Sequence, residues 1–231
     1  MKTLGIIGGV GPESTIEYYR LIVASYRARR PDGSYPPVLI NSIDMTKMLG
    51  LIGANEMKPV TDYLVGEVNK LARAGADFAL LASNTPHIVF DEIRERAHIP
   101  MLSIVEATCD AARARNIRRA ALFGTRFTMQ GSFYGDVFTK QGIELAVPDA
   151  EEQDYIHDKY MHELVHGEFR DETRQHMLAI LERLIDEQKV EALILGGTEL
   201  PLLLRDESHR GVPLLDTTRI HVERAVSRML S

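Results

Sequence analysis

The 231-residue chain is short of three things, and each shortage excludes a class of function. It holds a single cysteine, Cys109, so no internal disulfide can staple it, which suits a reducing compartment. It has no basic excess: 27 Lys and Arg stand against 33 Asp and Glu. The resulting net charge of −6 argues against a general role on nucleic acid or anionic membranes, both of which ask for a basic face. No apolar run is long enough to span a bilayer, and the first one, starting at residue 2 or 3, is too short and too interrupted by glycine to be a signal peptide. These shortages predict a cytoplasmic protein with no nucleic-acid or membrane partner. Linkers, charge blocks and low-complexity stretches are also missing, so any subdivision should be into closely packed parts.

What is present is ordinary for a globular chain: 45% hydrophobic and 26% charged residues, over a length that holds one large or two small domains. Short apolar runs at residues 4–7, 37–40, 78–81, 101–105, 120–123, 192–195 and 214–215 are each bounded by glycine, proline or polar turns and read as buried parallel strands. Amphipathic helices fall between them. Residues 59–74 carry Val60, Leu64, Val68 and Leu71 on one face, with Gly75 placed to end the helix. Residues 172–188 carry Met177, Ile180, Leu181, Leu184 and Ile185 in the same way. The alternation predicts a doubly wound α/β fold, whose ligands bind beyond the carboxyl ends of the strands.

The pattern also repeats. FALLASNTPH and EALILGGTELP align Ser83 with Gly197, an offset of 197 − 83 = 114. KTLGIIGGVGPEST and RRAALFGTRFTMQ align Gly8 with Gly124, and beyond them Tyr18 with Tyr134, an offset of 134 − 18 = 116. IPMLSIVEAT and VPLLDTTRIH align Pro100 with Pro213, an offset of 213 − 100 = 113. Pairs that keep their order and nearly one spacing point to a duplication, and two similar strand-end turns imply one pocket shared by two halves.

Taken in order, GIIGGVGPEST, ASNTPH, ALFGTRFTMQGSFY, GGTEL and LLDTTRIHVERA make the chain resemble the aspartate/glutamate racemase superfamily over nearly its whole length. The resemblance implies two pseudo-symmetric doubly wound α/β domains with parallel sheets and an active-site cleft between them. It further implies a homodimer that racemises acidic amino acids with no cofactor and no metal. The expected domains are residues 1–99 with 209–231, and residues 100–208. In that family a C/S/T-N-T turn faces a G-C-T-E turn, and the thiols that move the proton fall at the positions of Ser83 and Gly197.

Neither thiol is present. Removing a Cα proton without pyridoxal phosphate needs a base, a donor for the developing charge, and an acid on the opposite face. Two tuned thiols meet that need. A serine hydroxyl is a poor base unless a neighbour activates it, and glycine offers no proton-transfer group at all. Weak or altered proton transfer is therefore expected. The resemblance assigns Ser83, Gly197 and Glu199 to the catalytic positions, with Glu199 as an orienting group; His87 and Asp44 lie nearby as possible substitutes.

The binding apparatus is better preserved. Gly9, Val10, Gly11, Asn84, Thr85, Thr125, Thr128 and Thr198 supply backbone and hydroxyl donors suited to a carboxylate, though residues of these types also cap helices and turns. The basic residues that clamp a distal carboxylate in aspartate-specific members have only Lys47 and His166 as counterparts. Two readings stay open. One is an isomerase acting on a small amino acid or carboxylate; the other is a non-catalytic carboxylate-binding protein, or a decarboxylase or lyase that needs one proton donor.

Three further motifs are set aside. HELVH, with His162, Glu163 and His166, matches a zinc-peptidase pattern but has no third ligand at the required spacing. GGVGPES resembles a dinucleotide loop, yet Ser14 stands at the third glycine and no acidic residue ends a second strand about 20 residues on. Cys109 reads as a small buried residue of a helix.

Overall fold

The computed structural model describes all residues from Met1 to Ser231 and divides into two units, Met1–Ile104 with His221–Ser231, and Val105–Ile220. The first unit contains β1 (Leu4–Gly8), α1 (Pro12–Arg29), β2 (Val38–Ser42), α2 (Met45–Gly53), α3 (Met57–Arg73), β3 (Phe78–Leu81), α4 (Phe90–Arg96) and β4 (Met101–Leu102). Its sheet has the order β2-β1-β3-β4 and is parallel throughout. A parallel sheet is covered on both faces, which is why β1 is buried at every position. Leu4, Ile6, Phe78 and Leu80 point into a core closed by Tyr18, Ile22 and Tyr26 of α1 and by Val222, Val226 and Met229 near the C-terminus. On the other face Gly5 lets Leu71 of α3 come close, since a Cβ at residue 5 would stand 3.1 Å from it. Val60, Leu64, Val68 and Leu71 are all buried, and each such side chain contributes about 1.5–3 kcal/mol relative to exposure. The chain turns after α3 at Gly75, whose φ of +97° suits glycine.

The second unit contains α5 (Ile104–Ala114), β5 (Arg119–Gly124), α6 (Arg126–Gln130), α7 (Ser132–Thr139), β6 (Glu144–Ala146), α8 (Ala150–His162), α9 (Asp171–Gln188), β7 (Ala192–Gly196), α10 (Leu200–Leu203), β8 (Ser208–His209) and β9 (Val212–Asp216), and leads into α11 (Thr217–Leu230). Its sheet runs β6-β5-β7-β9-β8. The first four strands are parallel, while β8 folds back on β9 through a hairpin whose turn residues Arg210 and Gly211 both have positive φ, 49° and 81°. Its core joins Ala121, Phe123, Leu193 and Leu195 of the sheet to Met177, Ile180, Leu181 and Leu184 of α9, with Ile185 partly buried at the margin.

The order β2-β1-β3-β4 matches β6-β5-β7-β9, so the duplication seen in sequence is also one of topology. It extends to a hydrogen bond. Tyr18 donates to Nδ1 of His221 at 2.9 Å, and its counterpart Tyr134 is hydrogen-bonded to Thr108, which the repeat aligns with His221.

Two details differ from the sequence expectation. Residues 101–105 are a strand only at Met101–Leu102, because the chain becomes helical from Ile104. The chain passes between units at 104/105 and 220/221, against the expected 99/100 and 208/209; β9 is hydrogen-bonded beside β7, with Leu193 opposite Leu214, so residues 209–220 stay with the second unit.

Candidate active site

In the first unit β1 and β3 are parallel neighbours, so the turns that follow them open side by side. The turn after β1 depends on Gly9. Its φ is +85°, and a Cβ there would meet Ile43 N and Ser42 Oγ at 2.7 Å. The Gly9 amide donates to Thr15 Oγ1 at 2.8 Å, tying the turn to the first coil of α1. Val10 is buried, and Gly11 is the N-cap of α1 with no side-chain cap and Pro12 following it. The turn after β3 carries Ser83, Asn84 and Thr85, all buried, and enters a short 3-10 turn at Thr85–Val89.

His87 fixes that second turn. Its Nε2 accepts the Ile104 amide at 3.2 Å, so the ring proton sits on Nδ1, which donates to the Ser83 carbonyl at 3.0 Å. The ring stacks on Phe90 with centroids 4.7 Å apart. Burial lowers its pKa to about 3, outweighing the backbone hydrogen bonds that favour its charge. His87 is thus a neutral strut with both nitrogens engaged, and neither serves the Ser83 hydroxyl. No carboxylate or imidazole is bonded to that hydroxyl, so nothing activates it. Asp44 is likewise engaged, capping α2 by accepting the Lys47 amide at 3.1 Å. The Lys47 ammonium rests over the Tyr63 ring, 4.2 Å from its centroid. A second neutral strut follows from the bonds of His221. Its Nε2–H donates to the Leu102 carbonyl at 3.2 Å, which leaves Nδ1 to accept from Tyr18, and burial lowers its pKa to about 3.

In the second unit β5 and β7 are parallel neighbours that meet at two glycines, Gly124 opposite Gly196. A Cβ at residue 124 would lie 2.8 Å from the Gly196 carbonyl oxygen. Thr125 is the N-cap of α6, accepting the Thr128 amide at 3.3 Å, and the two hydroxyls are 3.2 Å apart. Thr125 therefore performs the capping task that such a residue performs without a ligand, and Thr128 supplies the amide it caps.

Beyond β7 lie Gly197, Thr198 and Glu199. Glu199 is 2% exposed, and one carboxylate oxygen, Oε2, accepts hydrogen bonds from Thr198 Oγ1 at 2.9 Å and from the Tyr160 hydroxyl. Tyr160, on α8, is the neighbour of this turn that sequence reasoning missed. A Cβ on Gly197 would fall on its ring, 2.9 Å from both Cζ and the hydroxyl oxygen and nearer still to Cε2. The buried positions Gln153, Ile156 and Tyr160 mark the inward face of α8, but no local signal pairs that face with residue 197.

The discounted motifs take ordinary places. The helix holding HELVH ends at His162 with Glu163 as its C-cap, and Leu164–His166 form a separate 3-10 turn, so the two imidazoles do not share a helix face. Glu163 is buried and paired with Lys159 at 2.7 Å, and it accepts from Thr173 at 2.6 Å. No group of three or more His, Cys, Asp or Glu side chains is arranged to hold a metal. Cys109 is buried, and burial pushes its thiol up to about 11. No helix is long and apolar enough to cross a membrane.

The structure thus brings Gly9, Val10, Gly11, Ser83, Asn84 and Thr85 to one sheet edge, and Thr125, Thr128, Gly197, Thr198 and Glu199 to the equivalent edge of the other unit. Against known proteins, the family described as Asp/Glu/Hydantoin racemase matches residues 7–225. The broad specificity amino-acid racemase RacX of Bacillus subtilis (strain 168) is 27% identical over 99% of this chain and 98% of its own. A Yersinia pestis crystal structure assigned to the Asp/Glu racemases superposes with a TM-score of 0.90 at 31% identity, covering 100% of both chains. An aspartate racemase homologue from Pyrococcus horikoshii OT3 gives 0.85 at 30% identity, again over 100% of both.

Proposed function

Because the chain belongs to the Asp/Glu/hydantoin racemase family, we propose that it binds a small amino acid or carboxylate at its strand-end turns and acts at the ligand's Cα as a cofactor-independent isomerase of altered competence. The observation that carries this reading is the repeated placement of Ser83-Asn84-Thr85 and Gly197-Thr198-Glu199, each at the carboxyl end of a central strand beside a glycine turn. The Val10 and Gly11 amides of the turn and the uncapped start of α1 are suited to a carboxylate, while the Gly9 amide holds the turn through Thr15. Asn84 and Thr85 add side-chain donors, Thr198 adds a hydroxyl oxygen able to accept from an ammonium group, and Thr125 and Thr128 shape the second turn. The reading takes the units as the domains of a cytoplasmic homodimer working without pyridoxal phosphate or metal.

Proton transfer is the weak part of the apparatus. Ser83 has no activating partner, and Gly197 has no side chain. Each missing transfer group typically costs about 10²–10⁴ in rate. That same deficit favours a second reading, in which the protein binds a carboxylate without turning it over or uses a single donor for decarboxylation or elimination. Isothermal titration with L- and D-aspartate, L- and D-glutamate and simple dicarboxylates tests the shared premise. Binding that Asn84→Ala and Thr198→Val both weaken supports it, whereas binding indifferent to both variants, or no binding in the series, counts against it.

A further inference from the structure

We propose that Tyr160 takes, in space, the place of the side chain that residue 197 lacks, and that it is thereby the specificity-determining residue of the Gly197 turn, closing that turn to proton transfer. The inference rests on the reading that the Gly197 turn faces the ligand. Its physical basis is the position of the ring. A Cβ on Gly197 would stand 2.9 Å from the Tyr160 Cζ and hydroxyl oxygen, so any side chain there, a thiol included, would have to occupy the volume the ring fills. The backbone gives no other reason for glycine, because Gly197 is not among the glycines of positive φ.

The ring is not free to swing away. Tyr160 is 7% exposed and belongs to the unit's core, and its hydroxyl is anchored on Glu199. The hydrogen bonds also account for the chemistry. The Tyr160 proton is directed at Glu199 Oε2, and the Thr198 proton at the same oxygen. Burial and the adjacent carboxylate hold the phenol well above its usual range, so it stays protonated and is no base. The Gly197 turn therefore presents a filled, hydrogen-bonded wall where a side chain able to move a proton would otherwise stand.

The steric part is tested without any ligand. Gly197→Ala adds only the Cβ, and overpacking of this kind should lower Tm by about 2–12 °C. The loss should persist in a Tyr160→Phe background, which keeps the ring, and largely disappear in a Tyr160→Leu background, which removes its tip. A second readout needs no Tyr160→Leu protein. The hydroxyl on Glu199 should give a downfield proton NMR signal, identified by its absence in Tyr160→Phe, and Gly197→Ala should abolish it. An unchanged Tm together with an intact signal in Gly197→Ala would overturn the proposal whatever the protein's function. The specificity part is read as Cα deuterium exchange of each aspartate enantiomer in heavy water. Gly197→Cys with Tyr160→Leu should exchange the enantiomer served by the Gly197 turn at least ~10-fold faster than Gly197→Cys alone. Equal rates in the two folded variants would remove the specificity role while leaving the ring contact intact.

Discussion

Lowering the pH from 7 to 5 should destabilise this protein through His87 and His221. Both are fully buried and neutral, and both have folded-state pKa values lowered to about 3 from 6.5 by loss of hydration. Between those values the unfolded chain binds a proton at each ring that the folded chain refuses, so stability rises with pH through this window and is complete above about 6.5. At pH 5 each ring lies ~1.5 units below its unfolded pKa, which at ~1.36 kcal/mol per unit removes about 2 kcal/mol, or about 4 kcal/mol for the pair. That is a large share of the ~5–15 kcal/mol that holds a typical domain together. His157, only half-buried and also lowered by desolvation, adds a smaller effect of the same sign. The lowered carboxylates Glu67 and Glu163 lose their contribution as pH falls from 4.5, below the pH 5 to 7 range of this prediction. Urea unfolding followed by circular dichroism at pH 5, 6, 7 and 8 measures the slope, and folded His87→Gln or His221→Gln should each remove about half of it. A midpoint that does not move between pH 8 and pH 5 would refute the assignment of neutral buried rings.

Gly9→Ala should destabilise by about 2–4 kcal/mol, since it combines a left-handed φ with backbone crowding from Ile43, and it should also abolish carboxylate binding in titration calorimetry. Tyr160→Phe should cost about 1–3 kcal/mol in chemical unfolding by leaving the buried Glu199 short of a donor. Cys109 should resist a disulfide-exchange reagent in the native state and react at once in denaturant; rapid native labelling would contradict its burial.

The features legible in the sequence are those set by local pattern. The spacing of Val60, Leu64, Val68 and Leu71 gave the inward face of α3, and the short run 78–81 gave β3 at its observed bounds. Repeated glycine turns gave the strand-end positions of Gly9, Ser83, Thr125 and Gly197. What stayed hidden depends on contacts between distant residues. Residues 104–105 continue an apolar run but enter α5, because an apolar run alone does not separate a strand from a buried helix start. β6, three residues long with Glu144 exposed, offers little period to read. Tyr160 lies 197 − 160 = 37 residues before the glycine whose space it fills, and His87 reads as a turn cap until the Ile104 amide is seen on its Nε2.

The most direct test of the central claim is Cα exchange by the unmodified protein. Purified protein is incubated in heavy water with each enantiomer of aspartate and glutamate, and deuterium at Cα and enantiomer ratio are read by mass spectrometry and chiral chromatography. The account predicts ligand binding with slow deuterium uptake in one enantiomer and no accumulation of the other. Efficient interconversion of both enantiomers would contradict it, for it would require an acid and a base on opposite faces that Ser83, Gly197 and the Tyr160–Glu199 pair do not provide.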